Sequence, residues 1–294
     1  MNLEEFRQLR DYVNRKCGLF FPDRKLYYVE RRVRIRMQAL GLASFKEYLR
    51  YLISSPSEQE LQRLLDVLTI TETFFFREVD QLNCLAQHLL PQMLDGPLGR
   101  VRPEIRVLSA GCSTGEEAYT AAIILDDTLR KLRHRHLLWH VLGTDVNTSA
   151  IQRAQQGVYT QRSVRAVPHH FLEEYFVAQG SHFEIAPRLR RHVTFAWGNL
   201  FDQKQVATWG TFDIVLCRNV LIYFDEKSRW RAIENLEGIL KPGGFLLLGQ
   251  VESLNRIPSA LLPKRFGNAT VFQKTPVQAG SREARFCDQG GDAS

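Results

Sequence analysis

The sequence predicts an α/β fold, a mostly parallel sheet covered by helices on both faces, preceded by an all-α N-terminal domain. Three observations carry this expectation. From Leu3 to about His88, apolar residues recur at spacings of three and four, with turns marked by Gly18, Gly41 and Pro56. Beyond Pro103, short apolar runs alternate with helical stretches, as strands do when their crossovers are helices. Between the two regimes, Pro91, Pro97 and Pro103 with two glycines mark a break. The expected organisation is a helical domain over residues 1–88, a linker over 89–104, an α/β domain over 105–275 and a disordered tail over 276–294. A chain of 294 residues with 44% hydrophobic content can bury one large core and a smaller one.

In the helical domain, residues 24–40 place Leu26, Val29, Val33, Met37 and Leu40 on one stripe, with Lys25, Arg31, Arg32, Arg34 and Arg36 largely on the other faces. Standing alone, such a basic face is read as solvated. In the α/β domain, residues 105–108 read as a buried strand, 116–132 as a helix, 139–144 as a strand and 148–156 as a helix. Later, 212–216 read as a strand, 225–240 as a helix ended by Lys241-Pro242-Gly243-Gly244, and 245–248 as a strand. Alternation at residues 182–185 and 192–195 predicts a small antiparallel β-subdomain inserted at about 180–194.

Composition narrows the function classes. The first residues lack the apolar run of a signal peptide, and no later stretch approaches the roughly 20 apolar residues that span a bilayer, so a cytoplasmic chain with no direct membrane insertion is expected. The five cysteines (Cys17, Cys84, Cys112, Cys217, Cys287) are odd in number and scattered, without Cys-x-x-Cys spacing, which argues against a disulfide framework or a zinc site; no metal is expected. The net charge of +7 suits nucleic acid, anionic lipid or an acidic protein. Much of the excess sits between Arg24 and Arg36, where Arg24, Lys25, Arg31, Arg32, Arg34 and Arg36 face one acid, Glu30, so a defined acidic partner is plausible.

Ligands of open parallel sheets sit at the carboxyl ends of the strands. Here the first strand meets the first helix at Ala110-Gly111-Cys112-Ser113-Thr114-Gly115-Glu116-Glu117. Gly111 and Gly115 permit a tight turn and close approach of a ligand, and the helix start offers free N–H donors. The turn has neither the Gly-x-Gly-x-x-Gly of a dinucleotide site nor the Gly-Lys-Ser/Thr of a P-loop, and Glu116 and Glu117 oppose a phosphate. A sulfonium cofactor with an ammonium group fits better. Asp145, closing the second strand, is placed to accept from both hydroxyls of a ribose, with an N-cap as its alternative role. Arg218 and Asn219 follow the fourth predicted strand, and Tyr223 lies just beyond, as a site residue or a core aromatic.

Three segments together resemble the CheR-type chemotaxis receptor methyltransferase family: Leu68-Thr69-Ile70-Thr71-Glu72-Thr73-Phe74-Phe75-Phe76-Arg77-Glu78, the turn from Ser109 to Glu117, and Cys217-Arg218-Asn219-Val220-Leu221-Ile222-Tyr223-Phe224. The likeness runs to about residue 274. It implies a Rossmann-like S-adenosylmethionine methyltransferase domain with a small antiparallel β-subdomain, behind a helical receptor-docking domain. The implied enzyme is a protein-glutamate O-methyltransferase that modifies methyl-accepting chemotaxis receptors and tunes adaptation, working as a monomer. By the same resemblance, Thr73, Arg77, Glu117, Asp145, Asn199, Leu200, Arg218 and Asn219 contact the cofactor, and Arg77 and Tyr223 lie nearest the transferred methyl. Thr71 stands where the family often has a cofactor-binding asparagine. Arg31, Arg32, Arg34 and Arg36 match the receptor-docking surface. The β-subdomain is short beside relatives that bind a receptor's C-terminal tether, which weighs against tether binding.

The chemistry agrees with these residue types. A glutamate carboxylate, with a pKa of about 4.3, is already a nucleophile at neutral pH and needs no general base, and no histidine stands in the three motifs. A nucleic-acid methyltransferase is the nearest rival, but Asn219-Val220-Leu221-Ile222 lacks the Pro-Pro of a loop that receives a flipped base, and Leu216-Cys217 is not the Pro-Cys of a cytosine-type nucleophile. No nucleic acid partner is expected. A non-catalytic adaptor is the second rival, and the joint presence of Arg77, Asp145, Arg218 and Tyr223 argues against it.

Overall fold

The computed structural model describes residues 1–54, 59–95, 104–254, 257 and 259–275; the expected tail and residues 96–103 of the expected linker lie outside them. Helix α1 (Leu3–Cys17) opens with a capping box, in which the Asn2 side chain accepts from the Glu5 N–H and the Glu5 carboxylate accepts from the Asn2 N–H. It stops at Gly18, in the left-handed region. Helices α2 (Leu26–Leu40), α3 (Phe45–Ser54) and α4 (Gln59–Leu68) complete the N-terminal layer. Phe6, Leu9, Val29, Val33, Tyr48, Leu64 and Leu68 are buried in it, and their cluster continues into Leu108, Val215 and Leu246 on one face of the sheet. The helical layer therefore shares its core with the α/β domain.

Residues 79–95 belong to the other face. Helix α5 (Val79–Cys84), a π-helical turn (Leu85–Leu89) and helix α6 (Leu90–Asp95) bury Leu82, Leu85, Leu89, Leu90 and Met93 against Ile105, Val107, Ile214 and Leu216. The expected linker start at 89 is thus helix. Pro91 does not break it, because the π turn, with the Leu90 N–H bonded to the Leu85 carbonyl, absorbs the irregularity.

The α/β domain follows as β1 (Glu104–Ala110), α7 (Glu116–Lys131), β2 (Leu138–Asp145), α8 (Thr148–Gln156), β3 (Val158–Thr160), α9 (Gln161–Val164), α10 (His169–Tyr175), β4 (Phe176–Gln179), β5 (His182–Ile185), α11 (Pro187–Arg190), β6 (Val193–Trp197), α12 (Gln203–Thr208), β7 (Phe212–Cys217), α13 (Glu226–Ile239), β8 (Leu240–Leu248), β9 (Leu261–Phe266) and β10 (Ala269–Lys274). The seven-stranded sheet has the order β6-β2-β1-β7-β8-β10-β9, parallel except for the β9–β10 end. Along β7 the burial alternates between the two clusters, with Ile214 and Leu216 on one face and Val215 and Cys217 on the other, as a sheet covered on both sides requires. The chain winds outward from β1 in one direction and from β7 in the other, so the carboxyl ends of β1 and β7 form the switch point where a ligand cleft opens.

The small antiparallel sheet has the order β3-β5-β4, so its residues extend from 158 to 185 rather than over 180–194. Residues 192–195, expected in a hairpin, contribute instead to β6, which pairs parallel to β2 at the sheet edge. An edge strand with one half-exposed face alternates just as a hairpin strand does, so periodicity does not separate them. Strand β8 also starts early, at Leu240, running through Pro242-Gly243-Gly244 with a register shift opposite Phe212 and Ile214.

Candidate active site

A solvent-open cleft of about 1290 Å³ sits at the switch point. Thr71, Thr73, Arg77, Glu117, Asp145, Asn199, Leu200, Arg218, Asn219 and Tyr223, drawn from five separate stretches of chain, all line it. So do Cys17, Leu19, Phe21, Phe76, Gly198 and Val220, which sequence reasoning passed over. These are mostly apolar residues with no chemical signature.

The turn after β1 is fastened to the end of β2, since the N–H groups of Gly111 and Cys112 both donate to the Thr144 carbonyl, at 2.7 and 2.9 Å. Gly111 has φ +77°, and a Cβ there would stand 2.4 Å from Val220 Cγ2. Only glycine admits both that conformation and that approach. Asp145 accepts backbone N–H bonds from Ser113 at 2.7 Å and Asn147 at 2.8 Å. Burial pushes its carboxyl above the ordinary value, against the pull of those bonds. Asn147, not Asp145, caps α8, accepting from the Ala150 N–H at 2.7 Å, which removes the N-cap alternative for Asp145.

Arg218 is the hub of the floor. Its side chain is only 3% exposed; Nε donates to Gln81 Oε1 at 2.8 Å, Nη1 to Glu117 Oε2 at 3.2 Å, and Nη2 to the Arg77 carbonyl and to Glu78 Oε2 at 3.3 Å. Every guanidinium nitrogen thus has a partner within the protein. Glu117 also accepts the Ser109 hydroxyl at 2.8 Å, and burial raises its carboxyl although Arg218 and Ser109 favour the charged form. Glu116 turns away from the cleft: it is buried, accepts the Thr114 hydroxyl at 2.6 Å, and is likewise raised by burial. Of the two acids, only Glu117 lines the cleft.

Arg77 and Tyr223 stand at the mouth. The Arg77 guanidinium makes one long bond, 3.5 Å to the Glu72 carbonyl, and pairs with no carboxylate among the described residues. Burial raises the Tyr223 hydroxyl, and the positive charge of Arg77 is the largest effect opposing it, so the phenol stays protonated at neutral pH. The backbone around both is strained: Phe76, Glu78, Ser113 and Asn219, all in or beside the cleft, hold φ of +57°, +55°, +51° and +59°. The Thr71 carbonyl accepts the Ser113 hydroxyl at 3.0 Å. The Asn199 amide donates to the Lys16 carbonyl at 2.8 Å and its oxygen accepts from the Phe201 N–H at 3.0 Å, so that side chain ties α1 to the segment after β6.

The four arginines of α2 lie apart from the cleft and differ among themselves. Arg31 is exposed, Arg34 pairs with Glu30 at 2.7 Å, and Arg32 lies 4.9 Å over the Tyr28 ring. Arg36 is largely buried and forks onto Glu60 at 3.0 and 2.9 Å, where the Tyr48 hydroxyl also donates. Helical spacing does not reveal this, because the partner acid comes from α4. Among the described residues no cluster of three or more His, Cys, Asp or Glu is arranged to hold a metal ion, and no helix is long and apolar enough to cross a membrane.

With this geometry in hand, comparison with known proteins is direct. Residues 71–264 match the CheR methyltransferase, SAM binding domain family, and residues 4–69 match the CheR methyltransferase, all-alpha domain family. A "Chemotaxis protein methyltransferase 2" of Vibrio cholerae is 37% identical over 272 residues, 92% of this chain and 92% of the relative. A "Chemotaxis protein methyltransferase" of Escherichia coli is 33% identical over 256 residues, 86% of this chain and 85% of the relative, and one of Borreliella burgdorferi is 31% identical over 252 residues, 85% and 88%. Two family models and full-length similarity agree with a cleft built at the switch point of the sheet: the chain belongs to the CheR methyltransferase family and is an S-adenosylmethionine-dependent methyltransferase.

Proposed function

We propose that this enzyme esterifies glutamate side chains on the cytoplasmic domains of methyl-accepting chemotaxis receptors and so tunes sensory adaptation from the cytoplasm. The observation that carries the proposal is the pairing of Arg77 and Tyr223 at the mouth of a cleft that no histidine lines among the described residues. Such a mouth suits an acceptor that is already anionic.

The cleft suits the methyl donor. Burial raises the carboxyls of Glu117 and Asp145, and a ligand that brings an ammonium group to one and ribose hydroxyls to the other relieves that cost. In our reading Thr71, Thr73, Asn199, Leu200 and Asn219 frame the rest of the cofactor. Arg218, its donors engaged, shapes the site by holding Glu117 and the Arg77 backbone. Bound there, S-adenosylmethionine would supply an electrophilic methyl whose transfer to a carboxylate oxygen would leave a methyl ester and a thioether, with no proton moved.

The protein's part is positional. Tyr223, a hydroxyl donor, fixes one carboxylate oxygen, and Arg77 orients the anion. A tight ion pair from Arg77 would stabilise the reactant more than the charge-dispersed transition state, so the role calls for an orienting contact. Holding the reacting atoms in line contributes about 7–11 kcal/mol in the best cases. Arg31 and Arg34 on α2 offer charge to an acidic receptor surface.

The test is incubation with methyl-labelled S-adenosylmethionine and purified receptor cytoplasmic domains. Label on glutamates, released as methanol by base, is the expected result. Base-stable label, or cofactor binding without labelling of any receptor domain, sinks the proposal.

A further inference from the structure

We infer that Glu252, on the turn after β8, is a positioning residue for methyl transfer: its carboxylate holds the loop that carries Asn219 and Tyr223 in its working shape. Oε2 accepts the N–H groups of Asn219 at 2.8 Å and Gly249 at 2.8 Å, while Oε1 accepts those of Leu221 at 2.7 Å and Ile222 at 3.3 Å. One side chain thus collects four backbone donors from the ends of two adjacent strands.

The local conformation explains why an anion belongs there. Asn219 is left-handed with φ +59°, and Val220 is right-handed with φ −111° and ψ −46°. Successive residues of opposite hand turn their N–H groups inward, forming a concavity that binds anions. Left without an acceptor, the part-buried donors of Asn219, Leu221 and Gly249 would go unpaired. Bonds from backbone N–H to a carboxylate are stronger than neutral ones, and here they offset the cost of a left-handed, non-glycine residue.

The consequence reaches the site because the same donors start the 3₁₀ turn Leu221–Tyr223. The position of the Tyr223 ring follows from that turn. Asn219 is held on both sides, its N–H by Glu252 and its amide by Glu78 Oε1 at 2.9 Å. Gly249 keeps the space open: a Cβ there would stand 2.8 Å from Glu252 Oε2 and 2.9 Å from the Asn219 nitrogen. Neither Glu252 nor Gly249 carries a cofactor or acceptor role in the reading above, on which the inference rests through Asn219 and Tyr223.

The test is a double-mutant cycle in the full chain, with kcat and the cofactor Kd measured for Glu252→Gln, Tyr223→Phe and the pair. The glutamine offers one acceptor oxygen and turns an NH₂ toward backbone donors. Glu252→Gln is expected to lower kcat by on the order of tenfold or more, beyond its effect on Kd. On the Tyr223→Phe background it should add less than about a twofold loss, since the group it positions is already gone. If Tyr223→Phe is impaired and Glu252→Gln multiplies that loss in full, Glu252 is merely structural and the inference is overturned. If Tyr223→Phe keeps full kcat, the assignment of Tyr223 fails and the inference with it. Should Glu252→Gln not fold, Gly249→Ala crowds the same carboxylate without removing it, and the cycle is read in the same way.

Discussion

Arg218 and Glu117 meet as a buried ion pair, Nη1 to Oε2 at 3.2 Å, joining the end of β7 to the first turn of α7 beneath the cleft. The pair ties the two halves of the sheet together at the cleft. Removing one partner strands the other in a site where desolvation is uncompensated. Arg218→Ala is expected to cost about 3–5 kcal/mol of stability in denaturant melts. Arg218→Lys keeps the charge but not the three-way fork, so it should recover part of the stability and little of the cofactor affinity measured by calorimetry.

Arg77 and Tyr223 act, in the proposed reaction, on the acceptor more than on the cofactor. Arg77→Ala and Tyr223→Phe should therefore lower the rate of ester formation by on the order of tenfold to a hundredfold while changing calorimetric cofactor affinity only a few-fold. Equal losses in rate and affinity would move both residues into cofactor binding.

Asp145 gives the cleft a pH dependence with a definite sign. Burial raises its carboxyl in the folded protein, whereas in the proposed reading it accepts from two ribose hydroxyls, which the ionised form does best. Cofactor affinity should fall as pH is lowered through the raised value, starting above the range of an ordinary aspartate. Folding shows the opposite trend. A carboxyl raised by folding costs nothing below its unfolded pKa, and its cost grows as pH rises toward the folded value. Asp145→Asn should bind cofactor more weakly at neutral pH, flatten the pH profile of affinity, and compare best with the parent in melting temperature at neutral pH.

Val220 stands so close to Gly111 that no side chain can be added at Gly111 without moving it. Gly111→Ala brings a Cβ to 2.4 Å from Val220 Cγ2 at a backbone φ of +77°. The expected result is a loss of about 1–3 kcal/mol in stability together with loss of cofactor binding. Adding Val220→Ala should relieve the contact but not the backbone strain, so the double variant recovers only partly.

The basic helix divides into a structural and an accessible half. Arg36→Ala leaves Glu60, whose side chain is 3% exposed, with the Tyr48 hydroxyl as its remaining partner among the described residues, and should destabilise the fold by about 3–5 kcal/mol. Arg31→Glu, on an exposed residue, should leave the melting temperature nearly unchanged and impair receptor methylation in a salt-sensitive way. Normal methylation by Arg31→Glu at low and high salt would leave that face merely solvated.

Much of this was legible in the chain because it rests on local rules. Helical periodicity read from Leu3 to about His88 holds for the four helices up to Leu68 and again from Val79, though not for residues 69–78, while the strand–turn–helix at Ala110 to Glu117 and the acid closing β2 follow from neighbours in sequence and each led to a wall of the cleft. Periodicity failed where two arrangements share one pattern, as with β6, and where a proline was taken for a break that a π turn absorbs, as at Pro91.

What the amino-acid order settled was the alternation of elements and the residue types at the carboxyl ends of the strands, since both are consequences of nearest-neighbour sterics and burial. It left open which of those residues face a ligand. Arg218 and Asn219 are adjacent, yet the guanidinium is spent on Gln81, Glu117 and Glu78, and Glu116 and Glu117 point to opposite environments. Arg36 looked like its neighbours until Glu60 arrived from another helix. Such assignments depend on which donors and acceptors long-range packing brings together, and a buried charge takes whatever partner the fold supplies because leaving it unpaired costs more.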